Sequence, residues 1–444
     1  MVSVGVLAGV IGLTIFWLDW ESPQVQLSPD IKVLGVETTF AVKAQDQESG
    51  LKKLRVILQQ PELSQVIMDR DFPGSWLGGG QEHRFEASLV LKAKTLGLKE
   101  GPAQLTISAR DYSWWNWFGG RETTLSRNLT VDLVPLQVSV RSLNHVLNQG
   151  GTGLITYQIN KETTKHGVTV NGRWFKGYPC PAEGSGVYLA FFAVPVEISQ
   201  PLRLEVRAVD LVGNEARRPV NYRLKPKRWR NDRINLSEAF LQQKMPEFQA
   251  MSSELKNLAD PLEVFLVVNQ KWRIKNNQRV EEICQTSQPQ RLWQGAFQRL
   301  KNSKPMAGFA DQRTYFFQGQ EIDHQVHLGQ DLASLQKAEV GAANQGVVVM
   351  AAPLGIYGQT VVIDHGWGLF SMYSHLSQIR VQPGQQVSKG EVIGNTGTTG
   401  LAGGDHLHFA MIVQGQFVDP VEWWDSHWIK DNVERQLQPA SNPQ

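Results

Sequence analysis

The sequence predicts a multidomain, mainly β chain: an N-terminal transmembrane helix, two immunoglobulin-like β-sandwich modules, a helical connector and a C-terminal antiparallel β-domain. Three observations carry that reading. The chain opens on an apolar run without charge, and most of the rest is short period-two runs punctuated by Gly, Pro, Asp and Asn. Between the two β-rich parts lies a stretch that has no glycine and helical apolar spacing. At 444 residues the chain exceeds one hydrophobic core, because domains typically hold about 100 to 200 residues.

The first element is assigned to residues 1–20. Met1 to Leu18 reads MVSVGVLAGVIGLTIFWL, and at about 1.5 Å per helical residue it nearly spans a hydrocarbon core of about 30 Å. It lacks the basic start and the small-x-small cleavage site of a secretory signal. Trp17 and Trp20 suit the aromatic belt at a membrane surface, so an uncleaved anchor is expected. The first basic residue is Lys32, which leaves the orientation without a positive-inside signal.

Residues 22–133 and 134–224 are each read as an immunoglobulin-like sandwich, from alternating runs such as Ile31 to Val36, Leu54 to Leu58 and Leu105 to Ala109. Leu105-Thr-Ile-Ser-Ala-Arg-Asp111 is echoed by Leu204-Glu-Val-Arg-Ala-Val-Asp210. The repeat distance is close to one such module. Fourteen tryptophans, some clustered as Trp114, Trp115 and Trp117, are read mainly as core anchors. Two cysteines, Cys180 and Cys284, are too few for a disulfide framework or a cysteine-built metal site.

The composition shifts at Lys225-Pro-Lys-Arg-Trp-Arg230, and glycine is then absent until Gly295. Asn235-Leu-Ser237 offers an N-cap, and Leu255, Leu258, Leu262 and Val264 recur at helical spacing. A helical connector is therefore placed at 225–305, broken by Pro246 and Pro261. Glycine returns in 306–428, where short strands alternate with tight turns, and 429–444 is a tail. The net charge of +2 and the lack of a basic block exclude nucleic acid as a partner.

The residues with chemical potential lie in the C-terminal quarter. His406-Leu-His408 places two imidazoles on one face of a strand, because residues two apart share a face. Together with His327 and Asp331 of His327-Leu-Gly-Gln-Asp331, His408 completes a set of two imidazoles and one carboxylate. Such a set suits a catalytic zinc that keeps a position open for water. His375, in Met-Tyr-Ser-His-Leu-Ser, ends another strand and supplies an imidazole able to transfer protons. His324 and His365 are read as surface and structural residues, and Asp364 as a group able to orient an imidazole. Gly400-x5-His406-x-His408 has a cupin look, but Phe409 to Gln416 contains no acid.

From Gly319 to Trp424 the chain resembles the lysostaphin-type (LytM-like) zinc metallopeptidases, which cut peptide cross-links in bacterial peptidoglycan. The motifs occur in order: Val326-His-Leu-Gly-Gln-Asp-Leu332, Tyr357-Gly358, Val361-Val-Ile-Asp-His-Gly366, Tyr373-Ser-His-Leu-Ser377, Val381-Gln-Pro-Gly384, Gly390-Glu-Val-Ile-Gly394, Gly397-Thr-Thr-Gly400 and Asp405-His-Leu-His-Phe409. The resemblance implies Zn2+ on His327, Asp331 and His408, with His375 and His406 as catalytic helpers and no other cofactor. Asp405 and Ala410 depart from the usual proline and acidic residue. It further implies a zinc-dependent endopeptidase acting on peptidoglycan peptides, held in the inner membrane with its bulk in the periplasm. The alternative is a non-catalytic envelope protein of the same fold that activates or scaffolds another cell-wall hydrolase, with cell-wall enzymes as partners.

Overall fold

The structure is a computed structural model and describes residues 19–142, 145–180 and 184–437. Two compact units divide the chain, one holding the residues up to Pro135 together with Leu211–Asn214, the other the remainder.

In the first unit two sheets enclose one core. The three-stranded sheet is β1 (Gln24–Ser28), β3 (Glu37–Gln45) and β6 (Arg84–Lys92). The five-stranded sheet runs β2 (Val33–Leu34), β8 (Glu122–Val131), β7 (Gly101–Asp111), β4 (Leu51–Gln60) and β5 (Leu63–Asp71). Alternation is the cause: along β7, Ala103, Leu105, Ile107 and Ala109 face the core and pack with Phe40, Val56 and Leu129. The residues between them are polar and face outward. The tryptophans at 114–117 are not core anchors. They lie on or beside a short turn in which Asn116, Trp117 and Phe118 take positive φ, and Trp117 is 96% exposed.

The expected transmembrane helix is a correction. Residues 1–18 of that segment lie outside the described residues, and among the described residues no helix is long and apolar enough to cross a membrane. The described end of the segment belongs to the first β-unit: Asp19 is 1% exposed, and its carboxylate accepts hydrogen bonds from the Ser49 and Glu21 amides at 3.1 and 3.0 Å. A carboxylate buried on backbone donors is the packing of a sandwich end. Over the described residues the fold class is therefore mainly β, with no membrane-spanning helix among them.

The second unit begins with another pair of sheets. One is β9 (Val138–Val140), β10 (Thr152–Ile159), β14 (Val187–Ala193) and β13 (Tyr178–Pro179). The other is β12 (Arg173–Lys176), β11 (Thr163–Val170), β15 (Leu204–Asp210) and β16 (Glu215–Pro219). Strand β17 (Asn231–Leu236) follows, and then a helical segment within 238–283, mainly α1 (Glu238–Met251), α2 (Pro261–Val267) and α3 (Arg273–Ile283). Ser237 caps α1 by accepting the Phe240 amide at 3.1 Å, and Asp260 caps α2 by accepting the Leu262 amide at 2.8 Å. Residues 284–303 run without helix or strand, yet bury Trp293 and Phe297.

The C-terminal part is built on an eight-stranded sheet. Its path is β18 (Lys304–Ala307), β21 (Gln330–Ala333), β26 (Leu407–Val413), β24 (Leu369–Leu376), β23 (Gln359–Asp364), β22 (Gly346–Pro353) and β25 (Gln386–Val387), with Gln416–Val418 added on β26. A three-stranded sheet pairs β17 in parallel with β19 (Gln312–Phe317), which pairs with β20 (Gln320–Val326). Strands β24 and β26 are buried along their whole lengths, because each face has a cover. Tyr373, Phe409 and Met411 pack with the second pair of sheets, including Phe191, and with Trp423. Phe370, Met372, Ala410 and Ile412 pack with Phe248, Phe265 and Val268 of the helical segment. This rigid double-sided packing holds the strand ends that carry the histidines. No disulfide joins Cys180 and Cys284.

Candidate metal centre

Antiparallel pairing of β21 with β26 sets Asp331 opposite His408, and His327 reaches the same point from the turn after β20. His327 Nε2, Asp331 Oδ1 and His408 Nδ1 form a triangle with sides of 2.9 to 3.0 Å. The three residues are 3%, 8% and 4% exposed. Gly329 makes this approach feasible: a Cβ there would lie 2.5 Å from His408 Cε1 and Nε2 and 2.8 Å from the Phe409 carbonyl oxygen.

The hydrogen-bond polarity shows what the triangle can hold. His327 Nδ1 lies 2.7 Å from the Gly308 carbonyl oxygen, which can only accept, so Nδ1 carries the hydrogen and Nε2 of the neutral ring presents a lone pair. That lone pair faces a carboxylate oxygen. Acceptors converging at 3.0 Å in a buried place are relieved by a proton or a metal cation between them, and two imidazole nitrogens with one carboxylate oxygen is a donor set that fits zinc. The other carboxylate oxygen, Oδ2, accepts from Arg313 Nη2 at 2.8 Å, which leaves Oδ1 as the single donor aimed at the triangle. Arg313, on β19, carries no motif that sequence reading could use.

His375 and His406 complete the wall. Each is oriented by a backbone carbonyl, His375 Nδ1 by Thr399 at 2.8 Å and His406 Nδ1 by Gly404 at 2.8 Å, so both present Nε2. Their rings lie 4.9 Å apart, and His406 Nε2 is 3.6 Å from Asp331 Oδ1. His375 adopts φ +59° at the end of β24, a left-handed conformation that costs a non-glycine residue about 1 kcal/mol or more and turns its ring into the cleft. Burial opposes ionisation of Asp331, yet His327, His406 and His408 outweigh it and hold the carboxyl well below its usual range. Burial brings His408 down to about 4, and burial with His406 and His408 nearby takes His375 well below the ordinary imidazole range. Against its own burial, His406 is held up by Asp331. The site thus keeps His375 and His408 neutral beside one ionised carboxylate.

The five residues line one cavity of about 490 Å³, whose other walls are Leu236, Phe240, Phe265, Arg273 and Tyr315. Strand β17 and the helical segment therefore shape the cleft, which periodicity alone did not show. Other candidates fall outside it. His324 is exposed and bonds Glu321 at 2.6 Å. His365 is buried between the Gln345 carbonyl at 2.6 Å and Ser371 Oγ at 2.7 Å. Asp364 accepts from Ser287 Oγ, the Gln288 amide and the Gly366 amide, and orients no imidazole.

Residues 325–420 match the model of Peptidase family M23. The chain is 42% identical over 96 residues to peptidoglycan DD-endopeptidase ShyA of Vibrio cholerae, covering 22% of each chain. It is 36% identical over 95 residues to murein hydrolase activator EnvC of Escherichia coli, covering 21% of this chain and 23% of that one. The catalytic domain of the antimicrobial peptidase lysostaphin from Staphylococcus simulans is 28% identical, covering 30% of this chain and 98% of that one, with a TM-score of 0.26. The chain spans about a fifth of the length of the curated relatives it matches.

Proposed function

From an M23 (LytM/lysostaphin-type) domain at the C-terminus, we propose that this protein is a zinc-dependent endopeptidase that hydrolyses peptide cross-links of peptidoglycan and works in the bacterial cell envelope. The observation that carries the reading is the buried triangle of His327 Nε2, Asp331 Oδ1 and His408 Nδ1 with two further imidazoles presenting Nε2 beside it. Relatives of the matched segment include ShyA, a peptidoglycan DD-endopeptidase.

Zinc, when bound, lowers the pKa of a coordinated water to about 7 and polarises the scissile carbonyl. His327, Asp331 and His408 would hold it, and Arg313, by binding Oδ2 of Asp331, leaves Oδ1 turned toward His327 and His408. His406 Nε2 is placed to take a proton from the attacking water, since Asp331 favours the protonated ring. His375, neutral and donating its Nδ1–H to the Thr399 carbonyl, presents Nε2 as an acceptor placed to take a hydrogen bond from the attacking water or the leaving amine.

The test is digestion of purified sacculi. The full chain should carry about one zinc and release new peptide ends. His408→Ala should lose both, with activity falling by about 10³ or more because a metal ligand is gone. EnvC, a murein hydrolase activator, is also a relative, and it motivates the second reading. If zinc binds but no peptide ends appear, while the chain stimulates a separate cell-wall hydrolase, the activator reading replaces the enzyme.

A further inference from the structure

Three carboxylates meet in the first unit: Asp19 before β1, Asp46 after β3 and Asp111 at the end of β7. They are 1%, 3% and 0% exposed, and one oxygen of each lies within 4.8 Å of the others. Asp111 Oδ1 is fully satisfied by the Ser113 amide at 3.0 Å, Ser113 Oγ at 2.6 Å and the Arg121 amide at 2.7 Å. Its Oδ2 is buried and has no donor at all. An orphaned carboxylate oxygen is costly inside a protein, and two more carboxylates beside it raise the cost. Among the described residues none of the three is in an ion pair with a lysine, arginine or histidine. His83 Nδ1 bonds the Asp46 carbonyl rather than its carboxylate.

The second unit supplies an internal comparison. Asp210 ends β15 as Asp111 ends β7, and its side chain is equally buried, but Lys161 Nζ sits 2.9 Å from its Oδ2. Lys161 lies in the turn between β10 and β11, and β11 pairs with β15 so that Thr163 faces Asp210. Asp46 lies in the turn between β3 and β4, and β4 pairs with β7 so that Leu51 faces Asp111. The equivalent turn thus brings a lysine to one buried aspartate and a second aspartate to the other. A built-in cation in one sandwich is matched by a surplus of negative charge in the other.

We propose that Asp19, Asp46 and Asp111 form a site for a calcium ion. The donors are all carboxylate oxygens, which suit a hard cation, and Ca–O distances of about 2.3 to 2.6 Å place oxygens on opposite sides of one ion up to about 5 Å apart. Magnesium, at about 2.1 Å, needs a tighter cage. The exposed Glu48 carboxyl interacts with Asp19 at the rim and offers a further ligand. Without a cation, burial and then the charges of Asp19 and Asp111 push Asp46 up to about 6. The ion would bind the chain entering β1 to the ends of two strands.

The experiment is a calcium titration of the zinc-saturated full chain, read by calorimetry and thermal unfolding. Terbium luminescence sensitised by Trp115, whose Nε1 donates to the Asp19 carbonyl at 2.9 Å, adds an optical readout. One calcium per chain is expected with Kd on the order of 10⁻⁴ to 10⁻³ M, as in extracellular modules, together with a rise in Tm. Asp46→Lys copies the second sandwich and should fold without calcium and give no calcium response; if it does not fold, Asp46→Asn is read the same way. Absence of any heat, Tm shift or terbium signal in the wild type at about 10 mM ion, tenfold above the weakest expected Kd, overturns the proposal. So does an undiminished response in the folded variant, or an equal response to magnesium. Peptidase activity is not a readout, so this result stands apart from the function proposed above.

Discussion

Gly329 shows how far the metal centre depends on a side chain that is absent. Its missing Cβ is the space occupied by His408, and the contact on the other side is the Phe409 carbonyl, which belongs to a central strand and cannot move aside. Gly329→Ala should therefore displace the His408 ring and weaken zinc about 10- to 100-fold, the usual effect of disturbing the support of a ligand. Competition with a chelator measures this, while the unfolding midpoint of the second unit should change much less. Arg313 acts in the same spirit by holding Asp331 Oδ2. His327, Asp331, His375, His406 and His408 were legible because histidine and aspartate recur at strand ends with set spacings. Arg313 was not, because a lone arginine on an alternating strand looks like any exposed cation.

At the scale of elements, the helix α4 (Pro420–Trp424) fastens the sheet to the sandwich in the second unit. Glu422 is 5% exposed and accepts from Asn148 Nδ2 and the Thr152 amide, both at 2.7 Å. Burial pushes its carboxyl up to about 7 from an ordinary value of 4.5, against those two hydrogen bonds. The folded state therefore holds a proton that the unfolded state releases near pH 4.5. The stabilisation from that proton is complete below pH 4.5 and is lost as pH rises through 7. Between pH 5.5 and 7.5 the second unit should lose about 2 kcal/mol, at 1.4 kcal/mol per pH unit up to the folded pKa. Glu422→Gln should flatten that slope, as read from urea midpoints at the two pH values. The strands themselves were legible from alternation, as along β7. The fully buried β24 and β26 show no alternation in burial, since cover on both faces removes the outward side.

The whole molecule divides into two units with separate cores. The core containing Phe40, Val56 and Ile107 lies in the first, while those containing Phe191 with Trp423 and Phe248 with Phe370 lie in the second. Each unit is compact by itself, and multidomain chains depart from a single two-state transition, so calorimetry should give two transitions, with calcium moving only one and zinc only the other. The sequence by itself determined the mainly β character, the break in composition near residue 225 and the short motifs of the last quarter, since periodicity, glycine content and spacing are local properties. It did not show that Asp19 is buried in a β-unit. Nor did it show that the second sandwich and the helical segment cover opposite faces of one sheet, that Phe240 and Arg273 wall the cleft, or that Asp111 and Asp210 have neighbours of opposite charge. Those were decided by tertiary structure, because each depends on which distant segments meet, and burial turns such meetings into energies that local pattern does not contain.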